Sequence, residues 1–306
     1  LVRLGDIADI RIGFVTGANE FFYLKPIGKT VKEVVEIAKK NPNALIRVRN
    51  GAGWEGRIEA KFLKPVIKSP RELKSIIVRL EDLHYLVFMC DKSKEELKGT
   101  KALEYIKWGE KQGYKTKPSL SGRDNWWSLS KYQIGNALCM MSYNDRHIFW
   151  LNDKILTDAR LYNILSNKNV YSLVACLNSV ISFLSVELNG RVNLGEGALD
   201  FKVYEAYKIV ILNPDYLNEE VSRKIINELS SRPIYSIFKE LGFDPKKPIR
   251  EQEPNPLPDR KALDDIVFDA LGLTEEERKE VYWAVAELVK SRLEKARSIE
   301  KKKGKT

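Results

Sequence analysis

The sequence predicts an α+β fold: a β-rich, irregular body with several helices, followed by a C-terminal helical segment. Three observations carry this. Short runs of alternating or aromatic residues recur through residues 1–243, separated by glycine- and proline-bearing turns. Only a few stretches in that region repeat apolar residues at helical spacing. After a cluster of prolines at residues 244–258, the remaining chain shows helical spacing alone.

Residues 4–12 alternate loosely between apolar and polar positions, as a half-buried strand would. A turn-rich loop follows at 13–20, then an aromatic strand at 21–24. Residues 30–40 place Val31, Val34, Val35 and Ala38 on one helical face, and Asn41-Pro42 stops that helix. The stretch 46–71 is irregular or β-rich, with Gly51, Gly53, Gly56 and Pro65 as breakers. A buried strand is expected at 85–89 and a helix at 97–108, ended by Gly109 and Gly113. Residues 118–160 read as short strands and loops, including 137–141 and 147–150. One long helix is expected over about 169–188, with a glycine-rich loop at 190–200, a strand at 207–212 and a helix at 218–229. Pro245, Pro248, Pro254, Pro256 and Pro258, interleaved with charge, mark residues 244–258 as a linker. The segment 259–306 then reads as a helical hairpin with a basic tail. Its first helix takes Asp259 as N-cap, and its second opens on a Thr274/Glu277 capping box.

The formal net charge is +10, from 52 Lys and Arg against 42 acidic residues, which favours a polyanionic partner without choosing among DNA, RNA and an anionic membrane. Cys90, Cys139 and Cys176 lie far apart, and with only His84 and His147 besides they fit neither a disulfide framework nor a Cys/His zinc site. A reduced, cytoplasmic chain is expected. High Lys and Glu with few Cys and Met suit a thermophile source. The most apolar stretch, 170–188, carries Asn178, Ser179, Ser182, Ser185 and Glu187, so it reads as a buried helix and no membrane partner is expected. The chain opens at Leu1 in a strand lead-in and is expected to be a fragment.

Several motifs point to nucleic acid, each with a plainer alternative. In the loop Gly13-Phe14-Val15-Thr16-Gly17-Ala18-Asn19, glycines let backbone N–H groups approach a phosphate, and Thr16 and Asn19 add short polar donors. An ordinary hairpin loop has the same look. In Arg123-Asp124-Asn125-Trp126-Trp127, adjacent tryptophans on a strand face opposite sides. Either one is free to stack beside Arg123, or both plug the core under an Arg cap. The strongest motif is Leu177-Asn178-Ser179 followed by the loop carrying Gly190, Arg191, Asn193, Gly195 and Gly197. Arg reads guanine and Asn reads adenine bidentately, and glycines permit close approach in a groove. A glycine-capped helix end is the alternative. Arg47, Arg49, Arg57, Lys61, Lys64, Lys68 and Arg71, opposed only by Glu55 and Glu59, form a phosphate track or a solvated basic face. His84 and His147 are expected to be structural, with no carboxylate partner nearby in sequence. Asp215, Glu219, Glu220 and Lys224 faintly match metal-dependent nuclease spacing.

Taken as a set and in this order, these segments resemble the C-terminal specificity domain of TaqI-type adenine-specific DNA methyltransferases. The resemblance is carried by residues 13–24, by Leu63-Lys64-Pro65-Val66-Ile67-Lys68-Ser69, by 123–129, by Leu177-Asn178-Ser179 and by 190–200, and it spans roughly residues 1–215. It implies a target-recognition domain at 1–243 for a restriction-modification enzyme, with double-stranded DNA and a catalytic methyltransferase domain as partners. The family's catalytic Asn-Pro-Pro-Tyr/Phe motif is missing, since Asn41-Pro42, Asn213-Pro214 and Asn255-Pro256 are not followed by Pro-Tyr or Pro-Phe. No catalytic, cofactor or metal residue is therefore expected here; S-adenosylmethionine belongs to the parent enzyme. The DNA-binding residues expected are Thr16, Gly17, Asn19, Arg47, Arg49, Arg57, Arg123, Trp126, Trp127, Arg191, Asn193, Gly195 and Gly197. The alternatives are a protein-docking module, with the helices after 259 as the docking pair, and, ranked last, a nuclease.

Overall fold

The computed structural model describes residues 1–129, 132–192 and 197–303. The strands that position the site are, in chain order, β1 (Ala8–Ile12), β2 (Tyr23–Pro26), β3 (Leu45–Asn50), β4 (Glu55–Glu59), β5 (Leu63–Ile67), β6 (Tyr85–Phe88), β7 (Ala137–Met140), β8 (Phe149–Leu151), β9 (Leu156–Thr157) and β10 (Leu161–Ser166). The helices are α1 (Val31–Lys40), α2 (Lys101–Lys111), α3 (Val170–Leu177), α4 (Val180–Asn189), α5 (Glu219–Leu229), α6 (Pro258–Leu271) and α7 (Glu275–Lys303). This is the α+β class expected.

Strand β3 alternates exposed and buried positions without a break, so Ile46, Val48 and Asn50 face in while Arg47 and Arg49 face out. That alternation belongs to a six-stranded mixed sheet of order β9-β5-β6-β2-β3-β4, in which only the β9–β5 pair is parallel. Helix α2 packs against β4. The Asn50 amide donates to the Tyr105 hydroxyl at 3.0 Å, and that hydroxyl donates to the Phe21 carbonyl at 2.6 Å. Around this anchor Phe21 stacks on Tyr105 with centroids 4.5 Å apart, and Phe88 and Trp126 close the aromatic core. A second, antiparallel sheet of order β8-β7-β10-β1 packs against α3.

Several expected elements differ, for physical reasons. Residues 4–12 split into a helical turn, Leu4–Ile7, and β1. Residues 19–22 form a helical turn before β2. Phe21 and Phe22 are both fully buried, whereas consecutive strand residues would point to opposite faces. Gly109 lies inside α2 instead of ending it, because a Cβ there would sit 2.6 Å from the Trp126 ring. The expected strand at 207–212 is reduced to Val210–Ile211.

The expected long helix breaks between α3 and α4 with a bend of 60°. The Asn178 amide donates to the carbonyls of Val174 and Phe149, and Ser179 caps α4 by accepting from the Ser182 amide. Both helices are largely buried, and no single helix among the described residues is long and apolar enough to cross a membrane.

Residues 244–258 do not separate two cores. The Asn255 and Leu257 amides donate to the carbonyls of Leu241 and Glu240, and Leu263, Val267, Val285 and Val289 join the same buried cluster as the sheets. The apolar stripes that the docking alternative would turn to a partner are packed internally, α6 on α5 and α7 on α4. Helix α6 begins at Pro258, not Asp259: a proline at the first helical position lacks only an N–H that would have no partner there. The Thr274/Glu277 capping box forms as expected.

The break at Asn178 explains two buried charges on α6. Fully buried Arg260 donates to the Asn178 carbonyl, and fully buried Asp264 accepts from the Val180 amide at 2.8 Å. A cation thus meets the carbonyl end of α3 and a carboxyl oxygen accepts at the amide end of α4, so groups left over at both helix termini find partners.

Candidate nucleic-acid interface

The part of the six-stranded sheet that stays open to solvent, over β2, β3 and β4, is built by strand registry. Lys25 lies opposite Arg49 across β2–β3, Arg49 opposite Glu55 and Arg47 opposite Arg57 across β3–β4. Side chains directly opposite share a face, so Lys25, Arg47, Arg49 and Arg57 stand together in solvent. Like charges directly opposed, as at Arg47 and Arg57, destabilise a sheet. Arg47 pairs with Glu55. No hydrogen bond or ion pair to a described residue engages Arg49 or Arg57.

At one end of this face the sheet dips into an open pocket of about 660 Å³ walled by Asn19, Tyr23, Lys25, Arg49, Lys68 and Tyr85, with Gly51 and Gly53 at its rim. The Lys68 ammonium lies 4.1 Å from the Tyr85 ring centroid and 5.3 Å from that of Tyr23, and the Lys25 ammonium lies 4.9 Å from Tyr85. The aromatic faces thus hold both ammonium groups beside the pocket. Sequence reasoning named Asn19, Arg49 and Lys68 but missed Lys25 and Tyr85. Tyr23 and Lys25 are two apart on one strand and so share a face, which was a usable signal; Tyr85 enters only through the β2–β6 pairing.

Other expected contacts turn out to be structural. Thr16 is buried, its hydroxyl donating to Asn19 Oδ1 and accepting from the Ala18 amide. Gly17 has φ of +76°, and its carbonyl accepts from the Ser119 hydroxyl. Gly13 is required for chain approach, since a Cβ there would sit 2.1 Å from the Asp158 carbonyl oxygen. Arg123 donates to the carbonyls of Val15, Thr16 and Ser128, tying the first loop to the tryptophan segment. Neither Trp126 nor Trp127 is free to stack. They sit in a turn, both buried, with indole N–H groups on Glu110 and the Lys92 carbonyl at 3.2 Å each.

Arg191 lies away from the pocket, on a two-residue strand, Arg191–Val192, paired with Leu199–Asp200. Its guanidinium is half exposed, 2.6 Å from buried Glu205 and over the Tyr204 ring. Asn193 and Gly195 lie outside the described residues. Gly197, with φ of +66°, is where α7 closes on the foot of this loop: its carbonyl accepts from Arg292, and a Cβ would sit 2.9 Å from that of Ala296.

His147 has a carboxylate partner that local sequence did not reveal. Its Nε2 lies 2.7 Å from Glu187, which also accepts from Arg292. The residues that suggested a nuclease are engaged otherwise, Asp215 with Lys168 and Glu219 with Arg223. Among the described residues no three His, Cys, Asp or Glu side chains gather to hold a metal ion.

Residues 60–241 match the family described as the C-terminal domain of the type II methyltransferase M.Eco57I. No curated protein matches. Two solved structures share the fold across nearly the whole chain. The type IIG restriction endonuclease BpuSI superposes with a TM-score of 0.57 at 12% identity, covering 96% of this chain and 31% of its own. The type IIL restriction-modification enzyme MmeI, solved in complex with DNA, gives 0.55 at 14% identity, covering 95% and 36%. The chain thus spans about a third of each.

Proposed function

The chain belongs to the family of type II methyltransferase C-terminal domains, and on that premise we propose that it is the DNA target-recognition module of a restriction-modification methyltransferase. The observation that carries the reading is the open sheet face, where Lys25, Arg49 and Arg57 have no carboxylate partner among the described residues and Arg47 opposes Arg57. Keeping like charges together destabilises the free sheet and is offset when a phosphate backbone arrives. Backbone contacts fix position, while groups at base edges supply sequence discrimination. Arg191, with Asn193 beside it in sequence, is assigned that second task, each good bidentate contact giving about 1–3 kcal/mol of discrimination. A catalytic domain elsewhere in the enzyme, working in the cytoplasm, supplies the S-adenosylmethionine site and methylates adenine. Gripping the duplex beside the target makes extrusion of that base less costly.

The test is binding of the chain to random duplex DNA at several salt concentrations, with sequencing of the bound fraction. For five phosphate contacts, log K falls against log salt with a slope of about −4.5, on the order of several hundred-fold between 50 and 200 mM. An enriched short motif is expected in the bound pool. Salt-insensitive association, or none at low salt, contradicts the reading.

A further inference from the structure

We propose that the pocket at the end of the basic face is a seat for one backbone phosphate of duplex DNA; this rests on the reading of that face as DNA-facing. The polar groups at the pocket present mainly donors. The Asn19 side-chain oxygen accepts from the Thr16 hydroxyl, which leaves the amide nitrogen to donate. The Asn50 oxygen is taken by the amides of Ala52 and Trp54, and the Tyr23 hydroxyl donates to Asp158. Lys25, Lys68 and Arg49 contribute charged donors. The one carboxylate at the rim, Glu20, is paired with Lys117.

The Tyr85 ring is covered by Lys68 at 4.1 Å, so it offers no open face on which an inserted base could stack. An oxyanion needs donors only. The ammonium groups are held over aromatic rings before any ligand arrives, so little side-chain ordering remains to be done on binding. Gly53, with φ of +87° and open space where a Cβ would stand, leaves the rim low enough for a bulky sugar-phosphate chain to pass.

The experiment compares the full chain with Lys25→Gln/Lys68→Gln and with the control Lys279→Gln, which removes a surface charge on α7. Each is titrated with one duplex at several salt concentrations, and separately with orthophosphate followed by 31P NMR; thermal unfolding verifies that each variant folds. The double variant should bind roughly tenfold more weakly to every sequence, with a salt slope shallower by about 0.9 per phosphate lost, while the control stays unchanged. An unchanged slope in a variant whose parent binds duplex steeply overturns the seat and leaves the DNA reading standing. A parent chain that ignores duplex at low salt overturns both; orthophosphate binding lost in the variant would then reassign the pocket to a free phosphate.

Discussion

Replacing Arg292 by alanine should cost about 3–5 kcal/mol of folding stability, the scale for breaking a buried ion pair from one side. Arg292 is buried, and its fork is fully occupied. Nε and Nη2 reach the two Glu187 oxygens at 3.1 and 2.8 Å, Nη2 also reaches the Asn144 carbonyl at 2.7 Å, and Nη1 meets the Gly197 carbonyl. Burial opposes ionisation of Glu187, yet the His147 hydrogen bond and the Arg292 guanidinium outweigh it and hold the carboxyl below its usual range. Alanine leaves that charge buried with one partner and strips the carbonyls of Tyr143, Asn144 and Gly197 of a donor. Adding Glu187→Gln removes the stranded charge, so the double variant should be milder than the two losses added, by about 1–3 kcal/mol. Urea unfolding measures both. A loss below about 1 kcal/mol would mean that α7 lies outside the cooperative core. Because the same side chain ties α4 to Gly197, the C-terminal helix acts as the foundation of the loop that carries Arg191.

The second large effect is a pH dependence set by Asp264. Burial pushes its carboxyl up to about 7 from an ordinary 3.8, against the pull of the Arg260 charge and the Val180 amide. A carboxyl whose folded pKa is raised binds its proton more tightly in the folded chain. Its stabilising contribution is therefore complete below the ordinary value and is lost as pH rises through about 7. With each tenfold change in proton affinity worth about 1.4 kcal/mol, the whole fall is at most about 4 kcal/mol. Asp264→Asn keeps an oxygen to accept from the Val180 amide and removes the titration. The variant should therefore gain on the parent as pH rises from about 4 to about 7 and then level off. A stability difference that does not change with pH contradicts the assignment.

What the sequence revealed, and what it hid, divides by range. The Thr274/Glu277 box was readable because it closes within four residues. The basic span from Arg47 to Arg71 likewise stood out in the sequence, while the alternation that sets Arg47 and Arg49 on one face came only with strand β3. The pocket was hidden because Tyr85 reaches Lys25 only through sheet registry. His147, Glu187 and Arg292 form one cluster from three distant segments, so each alone looked ordinary. For Trp126 and Trp127 the sequence left stacking and a core plug open, and the structure has both in the core, because adjacent residues in a turn need not face opposite sides. The proline cluster suggested a linker, yet proline lacks only a donor, and the amides of Asn255 and Leu257 still found carbonyls.

Whether duplex DNA lies on the open sheet face can be read by lysine footprinting. The chain is treated with an amine-reactive reagent with and without bound duplex, and modification is read at each lysine by mass spectrometry. The account predicts that duplex protects Lys25, Lys64 and Lys68, which stand on or beside that face, and leaves Lys261 and Lys279 on α6 and α7 reacting as in the free chain. Protection of Lys261 and Lys279, with the sheet lysines as reactive as before, would contradict it and place the DNA on the helical side.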